Sequence, residues 1–98
     1  MTKRPCVYIM ASKQNGTLYT GVTSDLPKRV WQHPRGLVGG FTKKYGCKQL
    51  VWFERHEAME SAIRREKQIK GGNRKAKLAL IEKQNPAWRN LFEDIAVS

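Results

Sequence analysis

Acidic residues are scarce in this sequence: eight Asp and Glu stand against nineteen Lys and Arg, a net charge of +11 over 98 residues. That imbalance points to a polyanionic partner, nucleic acid before an anionic membrane. Cysteine is scarce too. Cys6 and Cys47 form no C-x-x-C pair, and with only His33 and His56 beside them no zinc-finger spacing exists. Two such cysteines frame no disulfide scaffold, so the expected compartment is reducing, with free thiols. Long apolar runs are missing. The opening MTKRPCVYIMAS turns polar too soon for a signal peptide, and no segment is long enough to span a bilayer. The expectation is a cytoplasmic protein with no membrane contact. The glycine-rich stretch RGLVGGFTKKYGCK, Arg35–Lys48, lacks the GKS or GKT ending of a phosphate-binding P-loop and reads as a loop. No repeat, linker or low-complexity tract divides residues 1–98, which fit one domain.

What is present is ordered by short apolar runs and turn residues. Cys6–Ser12 (CVYIMAS) reads as a strand, Asn15-Gly16 as a hairpin turn, and Thr17–Val22 (TLYTGV) as the return strand. A two-residue turn pairs Ser12 with Tyr19, Met10 with Gly21 and Tyr8 with Thr23. Tyr8 and Tyr19 then share one face, with Gly21 between them leaving room, while Val7, Ile9, Ala11, Leu18, Thr20 and Val22 form a core face. A four-residue loop preserves that result, and a three-residue loop puts the tyrosines on opposite faces. Ser24 or Asp25 caps a helix with Pro27 in its first turn. Leu26 and Val30 form its core stripe, Arg29 and His33 a second stripe, and Pro34 its end. Gln49–Glu54 (QLVWFE) reads as a third strand. Glu57–Lys70 reads as a helix closed by Gly71-Gly72, and Asn73–Lys83 as another capped by Asn73. Asn85-Pro86 starts a last one with Trp88, Leu91, Phe92 and Ile95 on its apolar stripe.

One carboxylate is out of place. At about 100° per residue, Met59, Ala62, Ile63 and Ile69 fall on one stripe, and Glu66 sits near its centre. A carboxylate there must be paired or bound to a cation. Either it salt-bridges a neighbouring Arg or lies at the margin of the core, or it ligates a metal facing the sheet. A single carboxylate with waters suits Mg²⁺. Two tyrosines on one face, an arginine and histidine one helical turn apart, an inward carboxylate and basic surroundings match the roles of phosphodiester hydrolysis. Those roles are an activated water, a cation on the phosphate and a metal at the leaving oxygen.

Cys6-Val7-Tyr8, then Tyr19-Thr20-Gly21, then Arg29, His33 and Glu66 resemble, in order, the motifs of the GIY-YIG nuclease superfamily. AIRREKQIKG (Ala62–Gly71) and NPAWRNLFEDI (Asn85–Ile95) resemble stretches of its small standalone bacterial members, and the likeness covers nearly the whole chain. The resemblance implies an α+β fold, a small three-stranded antiparallel sheet flanked by helices. It implies metal-dependent endonuclease cleavage of DNA in repair or recombination, with Mg²⁺ as cofactor and Mn²⁺ able to substitute. Tyr8 and Tyr19 match the motif tyrosines, Arg29 the phosphate-binding arginine, His33 the residue one turn on, and Glu66 the metal-binding glutamate. Cys6 replaces the first motif glycine and Thr20 an isoleucine. Asn73, nearest to a further family asparagine, reads as a helix cap.

On this reading Glu66 holds the metal, Arg29 stabilises charge on the phosphate, and Tyr8 or Tyr19 orients or deprotonates the water, with Arg29 and the metal lowering the phenol's pKa. His33 shares or relays the proton. Arg35, Lys43, Lys44, Lys67, Lys70, Arg74, Lys75 and Lys77 are the expected DNA contacts, with Trp31, Trp52 and Tyr45 as stacking candidates and Trp52 preferred for the core. Structured or damaged DNA is the expected substrate. The chain leaves no room for a separate targeting domain, which points to a targeting protein partner. The rival reading is a non-catalytic nucleic-acid-binding module of the same fold.

Overall fold

The computed structural model describes residues 4–35 and 46–96, so Lys43, Lys44 and Tyr45 lie outside the described residues. The expected antiparallel sheet forms from β1 (Cys6–Ala11), β2 (Leu18–Thr23) and β3 (Gln49–Arg55), in the order β2-β1-β3. All six residues of β1 are buried. Side chains alternate along a strand, so a fully buried central strand needs cover on both faces. Val7, Ile9 and Ala11 enter the expected core, under α2 (Met59–Gly71) and α3 (Arg74–Gln84). Cys6, Tyr8 and Met10 enter a second core that the sequence reading did not anticipate. There α1 (Leu26–Gln32) contributes Leu26 and Val30, α4 (Phe92–Ala96) contributes Ile95, and Leu91 fills the space between.

The hairpin differs from the expected two-residue turn. Tyr8 pairs with Gly21 and Met10 with Tyr19. The Ser12 N–H bonds Thr17 O at 3.0 Å, and the Gly16 N–H bonds Lys13 O at 2.9 Å, closing a loop over Lys13–Gly16. Asn15 takes the left-handed conformation (φ 57°) that its short amide tolerates. The longer loop has the same parity, so both tyrosines stay on one face. In β3 a bulge opposite Ile9 and Met10 turns Val51 and Trp52 to the same core.

Asp25 is the cap of α1, accepting from the Lys28 N–H at 3.4 Å. The helix ends at Gln32, just before Pro34, and the chain tightens into a 3₁₀ turn, His33–Arg35. Asn73 caps α3 as expected, bonding the Ala76 N–H at 2.8 Å. The apolar stripe of α2 is narrower than predicted: Ala62 and Ile69 are buried, whereas Ile63 is 39% exposed.

The predicted helix from Asn85-Pro86 is replaced by an extended wrap. Asn85 terminates α3 rather than starting a helix, and Trp88 sits at φ 55°. The cause is the open edge of β3, whose outward N–H and C=O groups need partners. The Gln84 amide accepts from Phe53 N at 3.1 Å and donates to Phe53 O at 2.9 Å. Asn90 Oδ1 accepts from Leu50 N at 3.2 Å, and Leu91 N donates to Leu50 O at 2.8 Å. Asn85 Nδ2 donates to Val51 O at 3.2 Å and to Arg89 O at 2.7 Å. Three side-chain amides thus finish the edge a fourth strand would cover. The wrap sends Trp88 into one core and Leu91 and Ile95 into the other.

Asn85→Ala should therefore cost about 2–3 kcal/mol, the scale for stranding buried polar groups. Gln84→Ala, at an exposed residue, should cost less than about 1 kcal/mol. Urea unfolding checks this: the Asn85→Ala midpoint should fall at constant m. Midpoints ranked the other way would contradict the edge assignment.

Candidate active site

Gly21 is where the site begins. A Cβ built on it would lie 2.5 Å from the Tyr8 hydroxyl oxygen and 2.6 Å from Cζ. The bare backbone is the floor on which the Tyr8 ring lies. The room that Gly21 leaves between the two tyrosines is taken by the Tyr8 ring. Tyr8 is fully buried, and its hydroxyl reaches His33 Nε2 at 2.8 Å. His33, one turn after Arg29 on the inner side of α1, is also fully buried. Tyr19 completes a three-ring cluster, 5.1 Å from His33 and 6.3 Å from Tyr8 between ring centroids. The Arg29 and Glu66 charges both act on the Tyr8 phenol. The five residues expected to cooperate thus meet in one place.

Ionisation in this cluster departs from the expectation. Arg29 does pull the Tyr8 phenol toward deprotonation, but burial and neighbouring Tyr19 outweigh it and hold the phenol well above its ordinary value. Burial, then the Arg29 charge, push His33 down to about 4. At neutral pH the pair is a neutral phenol on a neutral imidazole. His33 Nδ1 has no hydrogen-bond partner among the described residues, although it is buried.

Glu66 keeps only 14% of its side chain exposed, and its Oε2 is paired with Lys70 Nζ at 3.1 Å. The carboxylate therefore faces the sheet and also has the cationic partner that the structural alternative demanded. No group of three or more His, Cys, Asp or Glu among the described residues could hold a metal. A single carboxylate fits a strongly hydrated ion such as Mg²⁺ and not a dehydrated one such as Zn²⁺.

Residues 4–79 match the GIY-YIG catalytic domain. The chain belongs to the GIY-YIG family. A UPF0213 protein of Staphylococcus saprophyticus is 39% identical over 75 residues, 76% of this chain and 90% of that one. A UPF0213 protein of Staphylococcus aureus is 38% identical over 78 residues, 80% of this chain and 94% of that one. The solution NMR structure of a UPF0213 protein from Bacillus halodurans superimposes with a TM-score of 0.56 at 29% identity, covering 89% of this chain and 92% of the other. This chain is thus a small GIY-YIG domain protein, in a family generally made up of nucleases that act on DNA.

Around the GIY-YIG site, the expected DNA contacts separate. Lys67 and Lys75 are exposed, and Lys77 is half-buried. Lys70 is engaged by Glu66. Arg74 Nη2 donates to Asn15 O and Gly16 O at 2.8 and 2.6 Å, fastening the hairpin turn to α3. Arg35 caps α1 through Trp31 O at 2.6 Å. Trp52 is core, as preferred. A further cluster went unnoticed in the sequence: Glu54 Oε1 takes His56 Nε2 at 2.8 Å and Arg65 Nε at 3.1 Å. Its spacing across β3 and α2 leaves no signal in one dimension. No helix among the described residues is long and apolar enough to cross a membrane.

The His33 shift makes stability depend on pH. The unfolded chain binds a proton near 6.5 and the folded one only near 4. Between those values the unfolded state holds more protons, so stability falls as pH drops from about 6.5 to 4 and is level on either side, a loss of at most about 3 kcal/mol. Urea midpoints across that window should fall more steeply for wild type than for His33→Gln. Equal slopes would mean that His33 is not buried in its neutral form.

Proposed function

We propose that this protein is a metal-dependent endonuclease that hydrolyses DNA phosphodiester bonds, working on structured or damaged DNA in repair or recombination. The observation that carries this reading is the convergence of Tyr8, Tyr19, Arg29, His33 and Glu66 around the Gly21 gap. A purely structural core has no use for that combination of charge and buried phenol.

Glu66 is the ligand that would hold Mg²⁺ or Mn²⁺, a role for which its Oε2 must leave Lys70 or its Oε1 must serve. The ion held there supplies Lewis-acid polarisation of the phosphate and charge compensation at the leaving 3′ oxygen. Arg29 offers a planar, multiply donating cation to the phosphate oxygens. Lys70, once released from Glu66, is free to meet a second phosphate. Tyr8 is wholly buried and already occupied by His33, so it acts first by positioning His33 and Arg29. Tyr19, only half-buried, is the phenol that an attacking water can reach and be oriented by. Neutral His33 is ready to accept a proton through Tyr8, and a phosphate arriving beside it would strengthen it as a base.

The Glu66–Lys70 pair favours a second reading, a nucleic-acid-binding module without turnover, because a neutralised carboxylate needs no metal. A panel of single-stranded, duplex, nicked, flapped and branched DNA with Mg²⁺ or Mn²⁺, and RNA controls, separates the two. On the preferred substrate Glu66→Ala and Arg29→Ala should each lower cleavage at least about 100-fold, as loss of a transition-state charge contact does. Tyr19→Phe should cost more than Tyr8→Phe in kcat. Binding without cleavage by wild type would establish the module instead. With about five phosphates neutralised, log K should fall against log salt with a slope of about −4 to −5. A flat dependence would exclude the electrostatic interface.

A further inference from the structure

Trp31 is 48% exposed, whereas Trp52 and Trp88 are each 4% exposed. The indole is not loose on the surface. The Arg35 guanidinium carbon lies 3.9 Å from its ring centroid, and Arg35 Nη1 donates to Trp31 O at 2.6 Å. One residue pair, four apart on a helix that tightens into a 3₁₀ turn, thus holds a flat ring and a flat cation stacked in advance. The adjoining cleft of about 210 Å³ is lined, among the described residues, by Val30, Trp31, Arg35, Lys48, Asn90 and Phe92, with two cations and no acid.

We infer that Trp31 and Arg35 form a stacking platform for an unpaired base of single-stranded DNA. The inference rests on the nuclease reading and narrows its substrate to DNA that carries a single-stranded stretch beside the cut. Every base presents a π face, and aromatic rings with a stacked guanidinium bind such faces regardless of sequence. A base in an intact duplex is already stacked and cannot reach the indole. The charge of +11 and Lys48 supply the attraction for the backbone.

The position on α1 fits a strand leading to the site. At about 100° per residue, Trp31 lies roughly 200° around the helix from Arg29, and Lys28 and Gln32 fall in the arc between them. Those two residues also line the polar cleft beside Arg29, with Thr23, Ser24 and Asp25. Leu26, Val30 and His33 occupy the opposite, buried arc. A strand from platform to scissile phosphate therefore crosses the exposed face of α1 over Lys28. A helix with its side chains is about 10–12 Å across, so the stacked base sits a few nucleotides from the cut.

The test needs no turnover. The full chain, free of divalent metal, is titrated with a labelled oligothymidylate of about eight nucleotides and with a hairpin duplex, followed by anisotropy and by tryptophan emission. The oligothymidylate should quench the emission of the one exposed indole. Trp31→Ala should weaken its binding about 10-fold, Trp31→Phe less than about threefold, and Arg35→Lys should weaken it although the charge is kept. The ratio of single-strand to duplex affinity should fall in Trp31→Ala. An unchanged ratio overturns the platform, as does equal quenching by oligoglutamate, which would mark an acidic protein site. Tighter binding of oligouridylate would overturn the assignment to DNA. If wild type cleaves nothing but Trp31→Ala loses single-strand affinity, the platform stands and the nuclease reading falls. If wild type cleaves, Glu66→Ala does not, and Trp31→Ala binds like wild type, only the platform falls.

Discussion

The contact between the Tyr8 ring and the bare backbone of Gly21 holds the rest in place. Tyr8 belongs to the central strand, fully buried, and its hydroxyl has one way out of the core, across the neighbouring strand. A side chain at position 21 would close that way, because its first carbon would overlap the phenol. With the gap open, the hydroxyl meets His33, and His33 fixes the rotation of α1 about its axis. Rotation of α1 in turn decides where Arg29 points and which residues are left for solvent, Trp31 among them. One missing methyl group thus links the hairpin register to the chemistry and to the outer surface of the same helix.

The cost of this arrangement appears in the electrostatics. A phenol and an imidazole taken out of water are both held neutral, and the Arg29 charge repels a proton on His33 while attracting the phenolate of Tyr8 only weakly against burial. The resting site is therefore pre-positioned but uncharged at its aromatic centre, with the charges at its rim: Arg29 on one side and the Glu66–Lys70 pair on another. On the proposed function, such a site would gain its reactive ionisation state only when a polyanion and a cation enter together.

Much of this was legible in one dimension because it depends on period and parity. The strands, the helix caps at Asp25 and Asn73, and the shared face of Tyr8 and Tyr19 follow from alternation and turn residues. Parity survived even though the hairpin loop was longer than expected, since shifting the register by an even number leaves faces unchanged. The inward tilt of Glu66 was visible from its spacing to Ala62 and Ile69. What failed is what depends on a partner distant in sequence. Asn85-Pro86 has the local signature of a helix start, but the bare edge of β3, more than thirty residues earlier, claims the Asn85 amide first. A tertiary demand for hydrogen bonds overrode a local preference. The second core was missed because strand alternation names faces without saying how many are covered. Arg74 reads as a DNA contact by charge, yet its guanidinium is used to fasten the β1–β2 turn.

Lys70 shows why charge and site cannot be read separately in so basic a chain. A half-buried carboxylate against the sheet needs a counter-cation, and Lys70 supplies it. The same lysine would become surplus positive charge if a divalent ion took the carboxylate, as the proposed function requires. On the proposed function, metal entry would do two things at the rim: it would satisfy Glu66 and free a cation for the phosphate backbone. By linkage, each would make the other more favourable, so nucleic acid and metal should each tighten the binding of the other at this site. A chain with few acids suits such coupling, because a released lysine would find little else to pair with. The scarcity of acidic residues and the one misplaced carboxylate are then two parts of one electrostatic arrangement.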